Sequence, residues 1–376
     1  MRFTPTLFPS PAGGAPSASR LSVFARVPYL SGMLLAAAML AVTLLIAGLT
    51  RLPIRDPDSV VAYRGRVFII VTSIVVFLLL DVVVRAAVQS GWRPGRMRAE
   101  VAQVWRTRWT RRRLAIGLAT ILSFYATYIA YRNLKSFLPI LREGNFDGAL
   151  LDLDRALLGG NDPAALLHSI LGTGVASHVL SSAYLLYLSF VPLSVVGALA
   201  WTRKVATGIW YVTAVNFNWV LGLLSYYLVP SLGPVFVDPP LADQMPATAV
   251  WNLQQILLVD RVRFIDDPMG SGAIQSIAGF ASLHVSVLFS AVLIAYLLGA
   301  RRALQIALWA LLGLTVIATI YFGWHYVVDD VAGLIIGGLS VYIAGVATGW
   351  RGLRRSRARP SAPNAALPGA PAAAEG

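Results

Sequence analysis

The chain has 376 residues, 57% of them hydrophobic and 13% charged, with a formal net charge of +14 and no cysteine. A mean hydropathy of +0.68 is too high for a water-soluble globule, and several nearly uncharged runs reach the ~20 residues that a helix needs to cross a bilayer core. The missing cysteines exclude a disulfide framework, a thiolate metal site and a thiolate nucleophile.

The expected fold is therefore all-α: a polytopic membrane bundle whose backbone polar groups are satisfied inside each helix. Residues 1–27 are rich in Pro, Ala, Ser and Gly and read as a disordered cytoplasmic tail without the apolar region of a signal peptide. Two spans follow at roughly 29–50 and 67–88. The second carries Asp81 and Arg85, whose i,i+4 spacing suits mutual neutralisation inside the bundle. The run "RPGRMRAEVAQVWRTRWTRRR" (Arg93–Arg113) holds eight arginines and leads into a third span at 114–134. In the long connection 135–176, "FDGALLDLDRALLGG" (Phe146–Gly160) has helical apolar spacing and a Gly-Gly stop, as for a helix lying at the membrane surface. Spans at 177–200 and 206–229, a second long loop at 230–277, and spans at 278–299, 303–323 and 327–349 complete the expected eight. From Arg359 the chain is again of low complexity and reads as disordered.

Lys and Arg set the orientation. Of 31 basic residues, 20 fall in the tails and connections on one side, whereas 14 of 17 acidic residues fall on the other. The basic side is then cytoplasmic, with both tails, and the two long loops face outward. The Arg93–Arg113 cluster is expected to meet anionic membrane lipids, which attract such segments by about 1 kcal/mol per basic residue. The same bias accounts for the net charge with no nucleic acid as partner.

The four histidines, His168, His178, His284 and His325, all fall on or near the outer face. His168, in the outer loop, and His178, opening the fourth span, read as structural or interfacial. His284 in "FASLHVS" opens the sixth span and His325 in "YFGWHYVVDD" lies between the last two, so both stand at one depth and can converge. Asp329 follows His325 by four residues, which on a helix places the two Cβ atoms about 5–6 Å apart, with Asp330 turned about 100° away. A carboxylate accepting from one ring nitrogen fixes the tautomer and leaves the other nitrogen nucleophilic. A second histidine, with an unperturbed pKa of ~6.5, can serve as general acid. His325, Asp329 and His284 would then suit phosphoryl transfer through a phosphohistidine. The same residue types also suit a zinc site, a proton or ion relay in a transporter, or a structural polar cluster, and spacing alone leaves all four open. A transporter would show polar residues and broken helices deep in several spans, whereas these histidines sit at the outer ends.

"ASLHVS" together with "YFGWHYVVDDVAG" resembles the second and third signature motifs of the type 2 phosphatidic acid phosphatase superfamily of membrane enzymes. Ala281-Ser282-Leu283-His284 has the Ser-Leu-His form of the inositol phosphorylceramide synthase (inositolphosphotransferase) branch, where the general family has Pro-Ser-Gly-His. Thr319, six residues before His325, stands where the phosphatases carry an arginine, again as in that branch, and "YYLVPSLGPVF" (Tyr226–Phe236) resembles the branch too.

The resemblance implies a six-helix catalytic core over 114–349, two additional spans with a basic loop over 28–113, and tails at 1–27 and 350–376. It implies an integral enzyme of the cell membrane, with its site on the extracytoplasmic side and no metal or cofactor. His325 corresponds to the nucleophile, Asp329 to its orienting partner and His284 to the general acid. The implied donor is a phospholipid or polyprenyl phosphate. An alcohol as acceptor makes a transferase, and water a lipid phosphate phosphatase. The first phosphatase signature, Lys-x6-Arg-Pro, is absent from 230–277. Phosphate contacts are therefore expected from Ser282 and from Arg132, Lys135 and Arg142 in "YRNLKSFLPILRE" (Tyr131–Glu143), where Lys135 and Arg142 repeat the six-residue gap.

Overall fold

The computed structural model describes residues 27–57, 64–202, 204–237 and 246–350. The two low-complexity tails lie outside these residues, as do Arg203 and the stretch 238–245 of the second long loop. Thirteen helices and no strand occur among the described residues. First come α1 (Leu30–Thr50), α2 (Arg64–Ser90), α3 (Pro94–Arg108) and α4 (Arg111–Leu141). The first long loop holds α5 (Asp147–Leu157) and α6 (Pro163–Leu171), followed by α7 (Val175–Trp201) and α8 (Val205–Leu228). The single turn α9 (Pro234–Val237) and α10 (Ala249–Asp266) lie in the second long loop, before α11 (Leu283–Leu297), α12 (Arg302–Tyr321) and α13 (Val327–Ala347).

Helices stand at all eight expected spans. Six of them, α1, α2 over Val71–Ser90, α4, α7, α12 and α13, are long and apolar enough to cross a membrane. The chain is a multi-pass membrane protein. The other two depart from a simple span for visible reasons. Helix α8 sits centrally, against α1, α4, α7, α11 and α13. It can therefore carry the buried Asn216 and Asn218, the latter donating to Ser290 Oγ at 2.9 Å. Helix α11 has 15 residues because its expected first turn is not helical. There the N–H groups of Gly279 and Phe280 bond to Ser231, and that of Ala281 bonds to Ser225 Oγ at 2.9 Å. The helix starts only where Ser282 caps it, accepting from the Val285 N–H at 3.4 Å.

Two glycines set the spacing between α11 and α13. A Cβ on Gly333 would overlap the Ser282 carbonyl oxygen, and one on Gly337 would stand 2.5 Å from that of Ser286. Small residues one turn apart let two membrane helices approach at backbone distance. At the other end of the bundle α2 packs on α3 and α7. Asp81 there is paired with Arg85 at 2.7 Å, and also with Arg108 at 2.6 Å.

Candidate active site

Helices α11 and α13 carry His284 and Asp329 in their first turns, and His325 lies in the short connection Phe322–Tyr326 before α13. That connection folds back on the end of α12, with the N–H groups of Trp324 and His325 both directed at the Thr319 carbonyl, at 2.9 and 3.3 Å. His325 is therefore not on a helix face shared with Asp329. Instead the Asp329 carboxylate reaches back over the helix start, and its Oδ2 accepts from the Tyr326 N–H at 3.0 Å and meets His325 Nδ1 at 3.3 Å. The i,i+4 pair forms through capping geometry.

His325 Nε2 lies 2.9 Å from His284 Nδ1, and His284 Nε2 lies 2.9 Å from the Tyr184 hydroxyl on α7. An ionised carboxylate only accepts, so with neutral rings the chain runs one way. Tyr184 donates to His284, His284 to His325, and His325 to Asp329, leaving the Nε2 lone pair of His325 as the acceptor between the two rings. Aromatic side chains wall this chain in. The Tyr184 and Tyr187 rings stand 5.1 and 4.9 Å from that of His284, and Trp324 stacks on Tyr184 at 5.3 Å. His325 is 3% exposed. Burial first, and the charge of Lys135 second, push its pKa down to about 3, so its imidazole is neutral at physiological pH.

The four expected phosphate contacts diverge. Lys135 of α4 is buried with the histidines, near enough for its charge to act on His325, and its Nζ lies 4.7 Å from the centre of the Tyr226 ring. Arg132 donates to the Tyr128 hydroxyl at 3.0 Å and to Ser276 Oγ at 2.8 Å. Arg142 is exposed at the C-terminal cap of α4 and donates to the Tyr227 carbonyl at 3.2 Å. Seven residues of helix separate it from Lys135 by about 10 Å. Ser282 Oγ is buried as the cap of α11. His168 bonds to the Tyr321 carbonyl at 2.9 Å, and His178 is exposed on α7. Among the described residues, no three His, Asp or Glu side chains are grouped as metal ligands.

Several residues of the site carry no family motif. Asp154 of α5 accepts from the N–H groups of Val327 at 2.7 Å and Val328 at 3.1 Å, capping α13 from outside the helix. Asp147 accepts from the Tyr326 hydroxyl at 3.0 Å and from the N–H groups of Leu232 and Gly233. Gly233, at φ +104°, lies against the Trp324 carbonyl where no Cβ would fit. Asp330 is buried and accepts from Thr319 Oγ1 at 3.1 Å, so the position at which the phosphatases carry an arginine is here a neutral hydroxyl beside a carboxylate. One signal for α5 was present in the sequence: Asp147 and Asp154 are seven residues apart and so share a helix face. Nothing in the sequence marks Tyr184.

Together these groups are a neutral, oriented imidazole, a second imidazole 2.9 Å from it, and the buried amine of Lys135. They stand beside the N-terminus of α11, where the helix dipole favours an anion. A family model of the PAP2 superfamily matches residues 148–343, from α5 to near the end of α13. No curated protein and no solved structure matches the chain. With more than half of its length matched, including both convergent histidines and Asp329, the chain belongs to the PAP2 superfamily.

Proposed function

We propose that the chain is a lipid phosphotransferase that works without a metal, through a phosphohistidine on His325, and that it transfers a phospho-headgroup as inositolphosphotransferases do. The observation that carries this reading is the hydrogen-bonded chain Asp329–His325–His284, with contacts of 3.3 and 2.9 Å. In the first step His325 Nε2 attacks phosphorus and the bond from phosphorus to the leaving oxygen breaks. Entry of the phosphoryl group between the rings displaces His284 Nδ1 from His325 Nε2 and aims it at the leaving oxygen. As the acid, His284 carries a proton on each nitrogen; Nε2–H rests on the Tyr184 oxygen and Nδ1–H is delivered. In the second step His284 takes the proton of an acceptor hydroxyl, whose oxygen attacks phosphorus and releases His325. Lys135 and the N-terminus of α11 oppose the charge on the non-bridging oxygens, the role that dominates catalysis of phosphoryl transfer.

Thr319 in place of arginine, with Ser282-Leu283-His284, favours transfer over hydrolysis. Water as the second acceptor would make the same site a phosphatidate or polyprenyl phosphate phosphatase. The Lys and Arg bias supports a site at the outer leaflet of the cell membrane, and we take 114–349 as the catalytic core with the first two spans as an addition to it. The test is to incubate the purified full chain with labelled lipid phosphates, with and without candidate alcohols. A labelled new lipid is the expected product, against free phosphate for a phosphatase. An acid-labile labelled phosphoprotein should accumulate, and His325→Ala should abolish both. Undiminished turnover by His325→Ala, or loss of turnover on adding a chelator, would overturn the mechanism.

A further inference from the structure

Three arginines from three helices meet the C-terminal end of α7: Arg85 of α2, Arg108 of α3 and Arg113 of α4. Tyr184, in the candidate active site, is 17 residues before Trp201 on the same helix, so the two places lie about 25 Å apart at opposite ends of the bundle. One carboxylate, Asp81, faces the three guanidiniums, taking Arg85 Nε at 2.7 Å and Arg108 Nε at 2.6 Å. Their remaining bonds run to the carbonyls that end α7. Arg85 reaches that of Trp201 at 3.2 Å, Arg108 that of Ala200 at 2.7 Å, and Arg113 those of Leu199 and Thr202, both at 3.1 Å. Capping a helix end accounts for those bonds. It does not offset the charge, since a helix C-terminus supplies about half a negative charge. Roughly 1.5 positive charges are left over, and the buried Nε of Arg113 has no hydrogen-bond partner.

The surplus charge borders open space of two kinds. A polar cavity of about 330 Å³ is lined by Arg85, Arg108 and Arg113 with Gln89 and Thr107. It shares Arg85 and Gln89 with a second, largely apolar cavity of about 550 Å³ along Leu80, Val84 and Val88, with Arg301 at its edge. Those three apolar side chains are 46%, 52% and 65% exposed, on a helix that crosses the membrane. The cationic end thus continues into a largely apolar cavity whose aliphatic lining is exposed on the side of a membrane-crossing helix.

We infer that this cleft between α2 and α3 on one side and the rest of the bundle on the other binds one anionic phospholipid, its phosphate among Arg85, Arg108 and Arg113 and an acyl chain along Leu80, Val84 and Val88. A zwitterionic lipid would bring its own ammonium up to the guanidiniums and is disfavoured. Free phosphate would fill the polar cavity and leave the apolar one unused. Basic pockets between membrane helices are a recurrent way to hold acidic headgroups.

The experiment compares phosphatidylglycerol with phosphatidylcholine on the purified full chain, stripped of lipid in neutral detergent, with bound lipid counted by native mass spectrometry. The wild type should retain one phosphatidylglycerol in preference to phosphatidylcholine, and excess inorganic phosphate should not displace it. The double variant Arg85→Gln, Arg301→Gln changes two partly or fully exposed side chains and leaves Arg108 to hold Asp81. It should bind about 25-fold more weakly, at about fivefold per arginine. Val84→Gln, which puts a polar amide in the acyl channel but no charge beside the arginines, should weaken phosphatidylglycerol and leave inorganic phosphate unaffected. Equal retention of the two lipids, equal retention by wild type and double variant, or displacement by inorganic phosphate alone would overturn the proposal.

Discussion

The seam between α11 and α13 makes a sharp prediction for Gly333→Ala. The new methyl group would meet the Ser282 carbonyl oxygen inside contact distance, with Val285 Cβ at 3.2 Å and the Ser282 carbonyl carbon at 3.4 Å. Two of these three atoms are backbone, so no side chain can swing aside. Restoring ordinary contact distances needs the helices to part by about 1 Å. His284 is two residues from Ser282 and Asp329 is one turn before Gly333, so the separation falls on the 2.9 Å contact between the histidines. Overpacking of this kind costs about 1–3 kcal/mol of stability, and a 1 Å displacement of reacting groups can cost about 100-fold in rate. Gly338→Ala, on the same helix, is the control, because its methyl group would meet only Phe289 Cε1 at 3.9 Å. Both changes gain the same helix propensity, about 1 kcal/mol. Turnover of a labelled lipid phosphate in nanodiscs, with thermal melting alongside, should show Gly333→Ala slowed about 100-fold while still folded and Gly338→Ala close to wild type. Wild-type turnover by Gly333→Ala, or equal losses in the two variants, would refute the argument that this seam sets the distance between the histidines.

Two further outcomes test the surroundings of His325. Lys135→Met should lower turnover by about 10²–10³-fold without lowering the melting temperature, because an apolar chain replaces a buried amine; turnover near wild type would place the phosphate clamp elsewhere. Asp154→Ala strands the N–H groups of Val327 and Val328 and should cost about 1–3 kcal/mol in thermal melting, with turnover falling too. Asp154→Asn should recover part of both losses, since one amide oxygen still accepts, and unchanged melting of the alanine variant would show that α5 does not hold the His325 connection.

What the sequence revealed depended on whether an interaction is local. The spans were legible because each is a run of apolar residues whose cost in water is additive along the chain. The nearness of His325 to Asp329 was legible from four-residue spacing, but its cause was misread. The helix starts at Val327, and the carboxylate caps backward where a shared face was expected. The start of α11 at Leu283 was hidden because the bonds that hold residues 279–281 out of the helix come from Ser225 and Ser231, some 50 positions away. On α5 the apolar spacing was visible, yet Leu153 and Leu157 face outward and the buried face carries Asp147 and Asp154. Burial of a carboxylate is decided by its partners, and these lie near residue 327. Arg132, Lys135 and Arg142 looked alike in sequence; only packing shows that Lys135 alone of the three is buried, against the rings of Tyr131 and Tyr226.

Those two aspartates also bear on how the molecule is made. Asp147 and Tyr326 are 179 positions apart, and Asp154 and Val327 are 173 apart. The helix bearing the acids leaves the ribosome with four spans of the bundle still to be synthesised after α7; Asp147 meets the N–H groups of Leu232 and Gly233 first, whereas Asp154 must wait for the start of α13. Until then Asp154 lacks its partners, and uptake of a proton or retention of water would offset its charge. Contacts of such long range form late, so a chain arrested before Val327 would lack its nucleophile's fastening as well as its final helix. Assembly of the His325 connection is thus tied to completion of membrane insertion.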